Sequence, residues 1–302
     1  MGHGSTPTIN DEPLPVASRS VKSLRTLLTR GRPAPTTGGA DQATALVLRG
    51  ISELLRAGRA EEAEAQARTF QGAAGRASGR GDLTNVTAAM LAGRAVLAQG
   101  RPAQALCELD GLLAELAEPP SMRHYATSLA VRVNRALALC HLERPSEAET
   151  ECRDVLNALA RITQPSVKVE LAALLCLVHA LNDQGRHEAA ETIARGTLSR
   201  AEGEAAMALS CGLVRSLNGQ GRHEEALAEA RKPAPEHGRG GAGAVGLGAA
   251  TALHGLGRRT EAEAEARQVL ADCEQFLPPG HRRTQQTREL LARITSDKLN
   301  TE

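Results

Sequence analysis

The amino-acid sequence predicts an all-α protein made of repeated helix hairpins, and three observations support this fold class. Apolar residues make up 41% of the 302 positions, but only Phe70, Tyr125 and Phe276 are aromatic, so Ala and Leu, both strong helix formers, dominate the apolar side chains. From residue 41 onward the apolar residues follow a helical period, without the alternation of β-branched residues that marks strands. A short phrase containing Gly-Arg also recurs, as expected of stacked structural repeats.

The recurring phrase marks six units. Gly-Arg marks five of these units, and a degenerate copy, Glu143-Arg144, marks the sixth, between the second and the next, so that successive markers are 42, 43, 42, 36 and 36 residues apart. The markers begin at Gly58, Gly100, Glu143, Gly185, Gly221 and Gly257. An alanine follows each marker after five residues: Ala63, Ala105, Ala148, Ala190, Ala226 and Ala262.

The phrase has a direct physical interpretation. Glycine supplies the left-handed backbone that ends one helix. The next helix then opens with a proline or with an acid that matches the positive helix N-terminus. These first-turn residues are Pro102, Pro145, Glu61, Glu188, Glu224 and Glu261. The small alanine one turn later lets the two helices approach closely, so each unit is predicted to be a helix–turn–helix that stacks on its neighbours.

The ends of the chain differ in composition from its centre. Residues 1–40 are rich in Pro, Gly, Ser and Thr and are predicted to be a mostly disordered arm. Within the arm, 18–30 has apolar residues at helical spacing with basic residues between them, which is typical of a short amphipathic helix. The helical repeat domain is expected over 41–295, followed by a disordered tail at 296–302.

Charge and cysteine content exclude some classes of protein. The net charge of +1 and the charge-balanced repeats provide no basic stripe for nucleic acid and no field toward a membrane. The longest apolar run, around 171–181, is too short to span a bilayer. Six cysteines spread over 302 residues do not suggest a disulfide scaffold, so we expect reduced, buried thiols in a cytoplasmic protein.

Signals for catalysis or cofactors are weak. Residues 241–246 read GAGAVG, a formal G-x-G-x-x-G, but a loop-forming KPAPEHGRG precedes them where a dinucleotide site needs a strand. A glycine-rich linker is therefore favoured. Cys176 and His179 lie one turn apart without further ligands at a metal-binding spacing. We expect no cofactor, no metal and no enzymatic activity, although the sequence does not exclude a catalytic site assembled from distant repeats.

The repeats resemble the tetratricopeptide repeat (TPR) family. The family's turn glycine, acidic residue and small alanine stand at Gly221, Glu225 and Ala226, and again 36 residues later. The segment LPPGHRRTQQTRELLA at 277–292 is similar to an inter-repeat segment of the longer TPR class typified by kinesin light chain. The aromatic residues usual in the family are missing, and Pro233 shortens one second helix. Pairs of the HEAT or armadillo type are the alternative.

The resemblance implies a right-handed superhelical solenoid of about six hairpins, whose first helices line a concave groove that binds a protein or peptide segment. Carrying over the family's inward positions gives the candidate groove residues Arg94, Asn134, His141, His179, Asn182, Arg215, Asn218 and His254. Asparagine can bind a peptide backbone and arginine can bind a carboxylate, which favours an acidic partner.

The expected function is therefore that of a non-catalytic interaction scaffold. An alternative is a peptide-responsive regulatory protein in which the basic arm at 18–30 competes for the groove. No nucleic-acid or membrane partner is expected, and homo-oligomerisation is compatible with the sequence.

Overall fold

The computed structural model describes residues 37–78, 82–117, 122–232 and 243–299. These residues contain thirteen helices and no strand, so the all-α class is confirmed. The helices are α1 Thr37–Arg56, α2 Ala60–Ser78, α3 Leu83–Ala98, α4 Pro102–Leu116, α5 Met122–His141, α6 Pro145–Leu159, α7 Val167–Asp183, α8 His187–Leu198, α9 Gly203–Gly219, α10 His223–Ala230, α11 Ala244–Gly255, α12 Arg259–Phe276 and α13 Arg282–Leu299.

The chain divides into two units between Arg49 and Gly50. The described part of the first unit, 37–49, is the beginning of helix α1, and it starts four residues before the predicted repeat domain. The second unit holds the end of α1 and the other twelve helices. The predicted amphipathic helix at 18–30 lies outside the described residues, whereas α13 continues to Leu299, beyond the predicted domain end at 295.

The Gly-Arg phrase ends one helix and begins the next. All five marker glycines have a positive φ, between 72° and 75°. The N–H of the arginine after each marker donates to the carbonyl five residues earlier, over 2.9–3.2 Å, which is the Schellman arrangement of a helix end. The carbonyl of the same arginine accepts the first hydrogen bond of the next helix, for example from Ala63 to Arg59 over 3.0 Å. The turn predicted from the phrase is thus present.

The alanine that follows each marker is fully buried in all six copies. Each has a relative exposure of 0%: Ala63, Ala105, Ala148, Ala190, Ala226 and Ala262. A larger side chain would push the second helix away from its neighbours, because protein cores have no spare volume at such contacts.

The odd-numbered helices form a continuous layer within the second unit. From α3 to α13, each helix packs against the next one in sequence, and each odd-numbered helix also contacts the next odd-numbered helix. From α4 to α12, each even-numbered helix packs against the two odd-numbered helices that flank it in sequence. We call the odd-numbered members, α3 to α13 together with the end of α1, the first helices.

A polar clamp joins the third hairpin, α5 and α6, to the fourth hairpin, α7 and α8. The Nε2 of Gln184 donates to the carbonyl of Pro145 over 3.3 Å and to Oε2 of Glu149 over 2.9 Å. The guanidinium of Arg186 lies 2.7 Å from the same carboxylate, whose side chain is only 13% exposed. The residues on both sides of the marker glycine therefore bind the beginning of the preceding second helix.

The same clamp occurs at two other junctions. Gln99 and Arg101 bind Glu64, and Gln220 and Arg222 bind Glu191. At the remaining two junctions both the acid and the glutamine are replaced by leucine: Leu106 with Leu142, and Leu227 with Leu256. Leu227 and Leu256 belong to one hydrophobic cluster. The phrase thus recurs because it forms both the turn and the contact between successive hairpins.

The degenerate marker carries backbone strain. Glu143 has a φ of 58° at a position where the other markers have glycine. We predict that Glu143→Gly raises the free energy of unfolding by about 1 kcal/mol, because only glycine adopts this conformation without steric cost. Urea denaturation followed by circular dichroism would measure the change. A lower stability of the variant would contradict the prediction.

The thiols are free, but not uniformly buried. Cys140, Cys152, Cys176 and Cys273 are buried and Cys211 is half-buried, whereas Cys107 is exposed on α4. The expectation of buried thiols therefore fails at Cys107, which occupies an outward position of a second helix.

Candidate binding face on the first helices

The candidate groove residues all lie on first helices. Arg94 is on α3, Asn134 and His141 on α5, His179 and Asn182 on α7, Arg215 and Asn218 on α9, and His254 on α11. The structure brings His141, His179 and Arg215 together around one carboxylate, that of Asp183. The amides of Asn182 and Asn218 instead form hydrogen bonds to the next first helix. Arg94 belongs to a separate group.

The carboxylate of Asp183 binds two arginines. It is the last residue of α7, and its side chain is 8% exposed. Nη2 of Arg215, on α9, lies 2.6 Å from Oδ1. Arg282, the first residue of α13, approaches with Nη2 at 2.9 Å from Oδ1 and Nη1 at 3.3 Å from Oδ2. Burial raises the pKa of Asp183, but the hydrogen bond from Arg282 and the charge of Arg215 outweigh this and hold it below its usual value.

Three histidines surround this ion pair, and all three have a lowered pKa. Burial is the main cause for each. The pKa of His179 falls from 6.5 to about 4, with a further contribution from the charge of Arg215. The pKa of His281 also falls to about 4, helped by Arg283, and that of His141 is lowered in the same direction, helped by Arg282. These imidazoles are therefore neutral near pH 7. We call Asp183, Arg215, Arg282 and the three histidines the Asp183 cluster.

The histidines predict a dependence of stability on pH. Because the pKa values of His179 and His281 are about 4 in the folded protein and 6.5 otherwise, the unfolded chain binds more protons in this interval. Stability should therefore be highest above pH 6.5 and fall toward pH 4, by at most about 1.4 kcal/mol per pH unit for each histidine. Urea denaturation at several pH values would measure the slope. His179→Gln should reduce it, and an unchanged slope in this variant would contradict the assignment.

Arg94 lies in a second group of charges on the same face. Its side chain is exposed to solvent, yet desolvation by the surrounding protein lowers the pKa of its guanidinium. Glu204 attracts it and Arg56 repels it. Arg56 and Glu204 form an exposed ion pair of 3.3 Å between residues 148 positions apart, which joins the end of α1 to the start of α9. We call Arg56, Arg94 and Glu204 the Arg94 recess.

Asn182 connects three helices. Its side chain is 2% exposed, and Nδ2 donates to the carbonyl of Gly212 on α9 over 3.1 Å. Its Oδ1 accepts from Nδ1 of His187 over 2.9 Å, and the Ser216 hydroxyl lies 3.1 Å away. The imidazole of His187 in turn covers Gly219, where an added Cβ would lie 2.3 Å from Nε2.

The same arrangement is repeated 36 residues later. Asn218 donates to the carbonyl of Gly248 over 2.9 Å and accepts from His223 over 3.1 Å, while His223 covers Gly255. His187 and His223 lie two residues after their marker glycines, at the position where TPR repeats usually have an aromatic residue. Their rings pack against Gly219 and Gly255. The hydrogen bonds of Asn182 and Asn218 are therefore made within the chain.

The two remaining candidates are Asn134 on α5 and His254 on α11. Nδ2 of Asn134 donates to the carbonyl of Ala130 on its own helix over 2.8 Å. His254 is half-buried at the position equivalent to Asn182 and Asn218.

Sequence reasoning did not select Asp183, Arg282, Arg56 or Glu204 as site residues. The exact 36-residue recurrence of asparagine, followed five residues later by histidine, was the signal for the packing role of Asn182 and Asn218. For Arg282 the signal was weaker, namely two adjacent arginines at the start of the last helix.

Within the described ranges, no group of three or more His, Cys, Asp or Glu side chains is arranged to hold a metal ion. None of the described helices combines the length and the apolar character needed to cross a membrane. No protein-family model matches the chain, and no curated protein matches it either.

Proposed function

We propose that the chain is a non-catalytic scaffold, a right-handed TPR-like solenoid that binds a protein or peptide segment along its first helices, with an acidic group of that segment at the Arg94 recess. Support for the repeat architecture comes from the six turns, the six buried alanines and the layer of first helices. The Arg94 recess is the observation that carries the binding proposal.

The charges of the recess favour an anionic ligand. Arg94 makes no hydrogen bond to the described residues, although desolvation destabilises its charged form. Arg56 adds a second guanidinium, and its ion pair with Glu204 is exposed, with side chains that are 54% and 64% accessible. A carboxylate from a partner would give Arg94 the bidentate partner that guanidinium groups prefer and would compensate the desolvation.

A charge-reversal experiment tests this function. Wild type, Arg94→Glu and the matched control Arg293→Glu, which changes another exposed arginine, would be immobilised and exposed to native lysate after circular dichroism has shown equal helix content. Captured proteins would be identified by mass spectrometry and their binding segments mapped. We expect Arg94→Glu to lose at least tenfold in affinity and the control to bind as wild type does.

The mapped segment provides the decisive step. Replacing its acidic residue by lysine should abolish binding to wild type and restore binding to Arg94→Glu. Equal binding of the segment to wild type and Arg94→Glu would place the binding surface elsewhere. Failure of the lysate to supply any segment that binds wild type would contradict the scaffold function.

A further inference from the structure

The face that we propose to bind partners already holds an arginine from a distant segment. Arg282 reaches Asp183 from 99 positions away in the sequence. The chain arrives there through residues 277–281, in which Gly280 has a φ of 80° and the N–H of His281 donates to the carbonyl of Pro278 over 3.1 Å. Arg282 therefore contacts the end of α7, at a carboxylate that also binds Arg215 of α9, without belonging to the six hairpins.

The geometry around Asp183 suits a guanidinium. Two nitrogens of Arg282 face two different carboxylate oxygens, at 2.9 and 3.3 Å, a two-point contact that the single ammonium of a lysine does not reproduce. The histidines beside it, His141 and His179, are neutral and add no repulsion toward a cation. The site therefore selects for arginine through shape as well as charge.

Arg282 can leave this site at a limited cost. Its side chain is 34% exposed, whereas that of Asp183 is 8% exposed, so the arginine lies on the solvent side of the contact. Arg215 remains 2.6 Å from the carboxylate and keeps it neutralised when Arg282 withdraws. Helix α13 is anchored separately, since Leu290 and Ile294 are 1% and 0% exposed and belong to the main hydrophobic cluster.

We propose that the Asp183 cluster is an arginine-binding site on the first-helix face, that Arg282 occupies it within the chain, and that an arginine-bearing segment of a partner binds there by displacing Arg282. The proposal extends the proposed function, because it assigns a second anchor to the same face. The partner segment then presents an acidic group to the Arg94 recess and an arginine to Asp183.

The segment of the chain itself supplies a probe. A fluorescent peptide with the sequence of residues 277–283, LPPGHRR, would be titrated with wild type, with Arg282→Ala and with the matched control Arg288→Ala, followed by fluorescence anisotropy. Arg288 forms an ion pair with Glu274 on an exposed surface, so its removal leaves the site filled. We expect Arg282→Ala to bind the peptide at least tenfold more tightly than wild type and Arg288→Ala to bind as wild type does.

Two further measurements identify the site. Adding Asp183→Asn to Arg282→Ala should abolish peptide binding, and the peptide LPPGHKR should bind Arg282→Ala at least fivefold more weakly than LPPGHRR. Because Asp183→Asn affects stability, thermal melts must show that the double variant is folded at the assay temperature. If it is not, Asp183→Glu, which keeps the charge but moves the carboxylate, takes its place and should weaken binding at least fivefold.

The outcomes separate this proposal from the function. Equal peptide binding by Arg282→Ala and wild type, no binding by either, or binding that survives the change at Asp183 would overturn the arginine site. Loss of the arginine site together with an Arg94-dependent partner would leave the scaffold function intact. A functional Asp183 site without any Arg94-dependent partner would contradict only the role of the Arg94 recess.

Discussion

Replacing Asp183 with asparagine is expected to lower the free energy of unfolding by about 2–3 kcal/mol. The substitution leaves Arg215 and Arg282 facing each other without their shared carboxylate, whose side chain is 8% exposed. Removal of one partner from a buried ion pair costs about 3–5 kcal/mol. Here the cost is reduced because the two arginines are 41% and 34% exposed and regain part of their hydration. Urea denaturation at pH 7 would measure it.

Two other variants control for this effect. Asp154→Asn removes a carboxylate that is 59% exposed and 3.5 Å from Arg132, and we expect a change below about 0.5 kcal/mol. Combining Asp183→Asn with Arg282→Gln should recover part of the loss, since it removes one of the two uncompensated charges. If Asp183→Asn and Asp154→Asn had equal effects, or if the double variant recovered no stability, Asp183 would not stabilise the two arginines around it.

Substituting Gly219 by alanine is expected to lower the free energy of unfolding by about 1–3 kcal/mol. The added Cβ would lie 2.3–2.4 Å from three atoms of the His187 imidazole. The ring cannot turn away without loss of its 2.9 Å hydrogen bond to the buried Asn182. Thermal and urea denaturation followed by circular dichroism would measure the change.

The same substitution elsewhere should have the opposite sign. Gly111 lies in helix α4, and an added Cβ there meets no atom within 4 Å. Gly111→Ala should therefore stabilise the protein by about 0.5–1 kcal/mol, because alanine loses less backbone entropy in a helix. In a chain that already carries His187→Ala, Gly219→Ala should lower the free energy of unfolding by less than it does in the wild-type chain. Additive effects of the two changes would disprove the steric contact.

The local features of the fold could be predicted from the sequence. The Gly-Arg phrase fixes a helix end, a turn and a helix start through interactions that reach only five residues along the chain. The buried alanines follow from the same phrase, because their position relative to the turn determines which side of the second helix faces the first. These predictions needed no knowledge of how distant hairpins are placed.

The composition of the binding face was harder to predict. Asn182 and Asn218 occupy inward positions of their helices, but the sequence does not show that a glycine carbonyl of the next first helix lies within 3.1 Å of them. Arg282 and Asp183 are 99 residues apart, and Arg56 and Glu204 are 148 residues apart. Such contacts depend on how hairpins that are not neighbours in sequence are placed, and this placement leaves no local pattern in the sequence.

The clamps between hairpins also restrict how the array can change in length. A hairpin with glutamate near the start of its second helix matches only a successor with glutamine before its turn marker, and a hairpin with leucine there matches only a successor with leucine before its marker. Deletion of the fourth hairpin, α7 and α8, would bring Glu149 to Gln220 and preserve a compatible junction. Deletion of the third, α5 and α6, would bring Leu106 to Gln184 and bury an amide against an alkyl chain. The order of the repeats is thus encoded at their junctions, and most rearrangements of the array would be disfavoured.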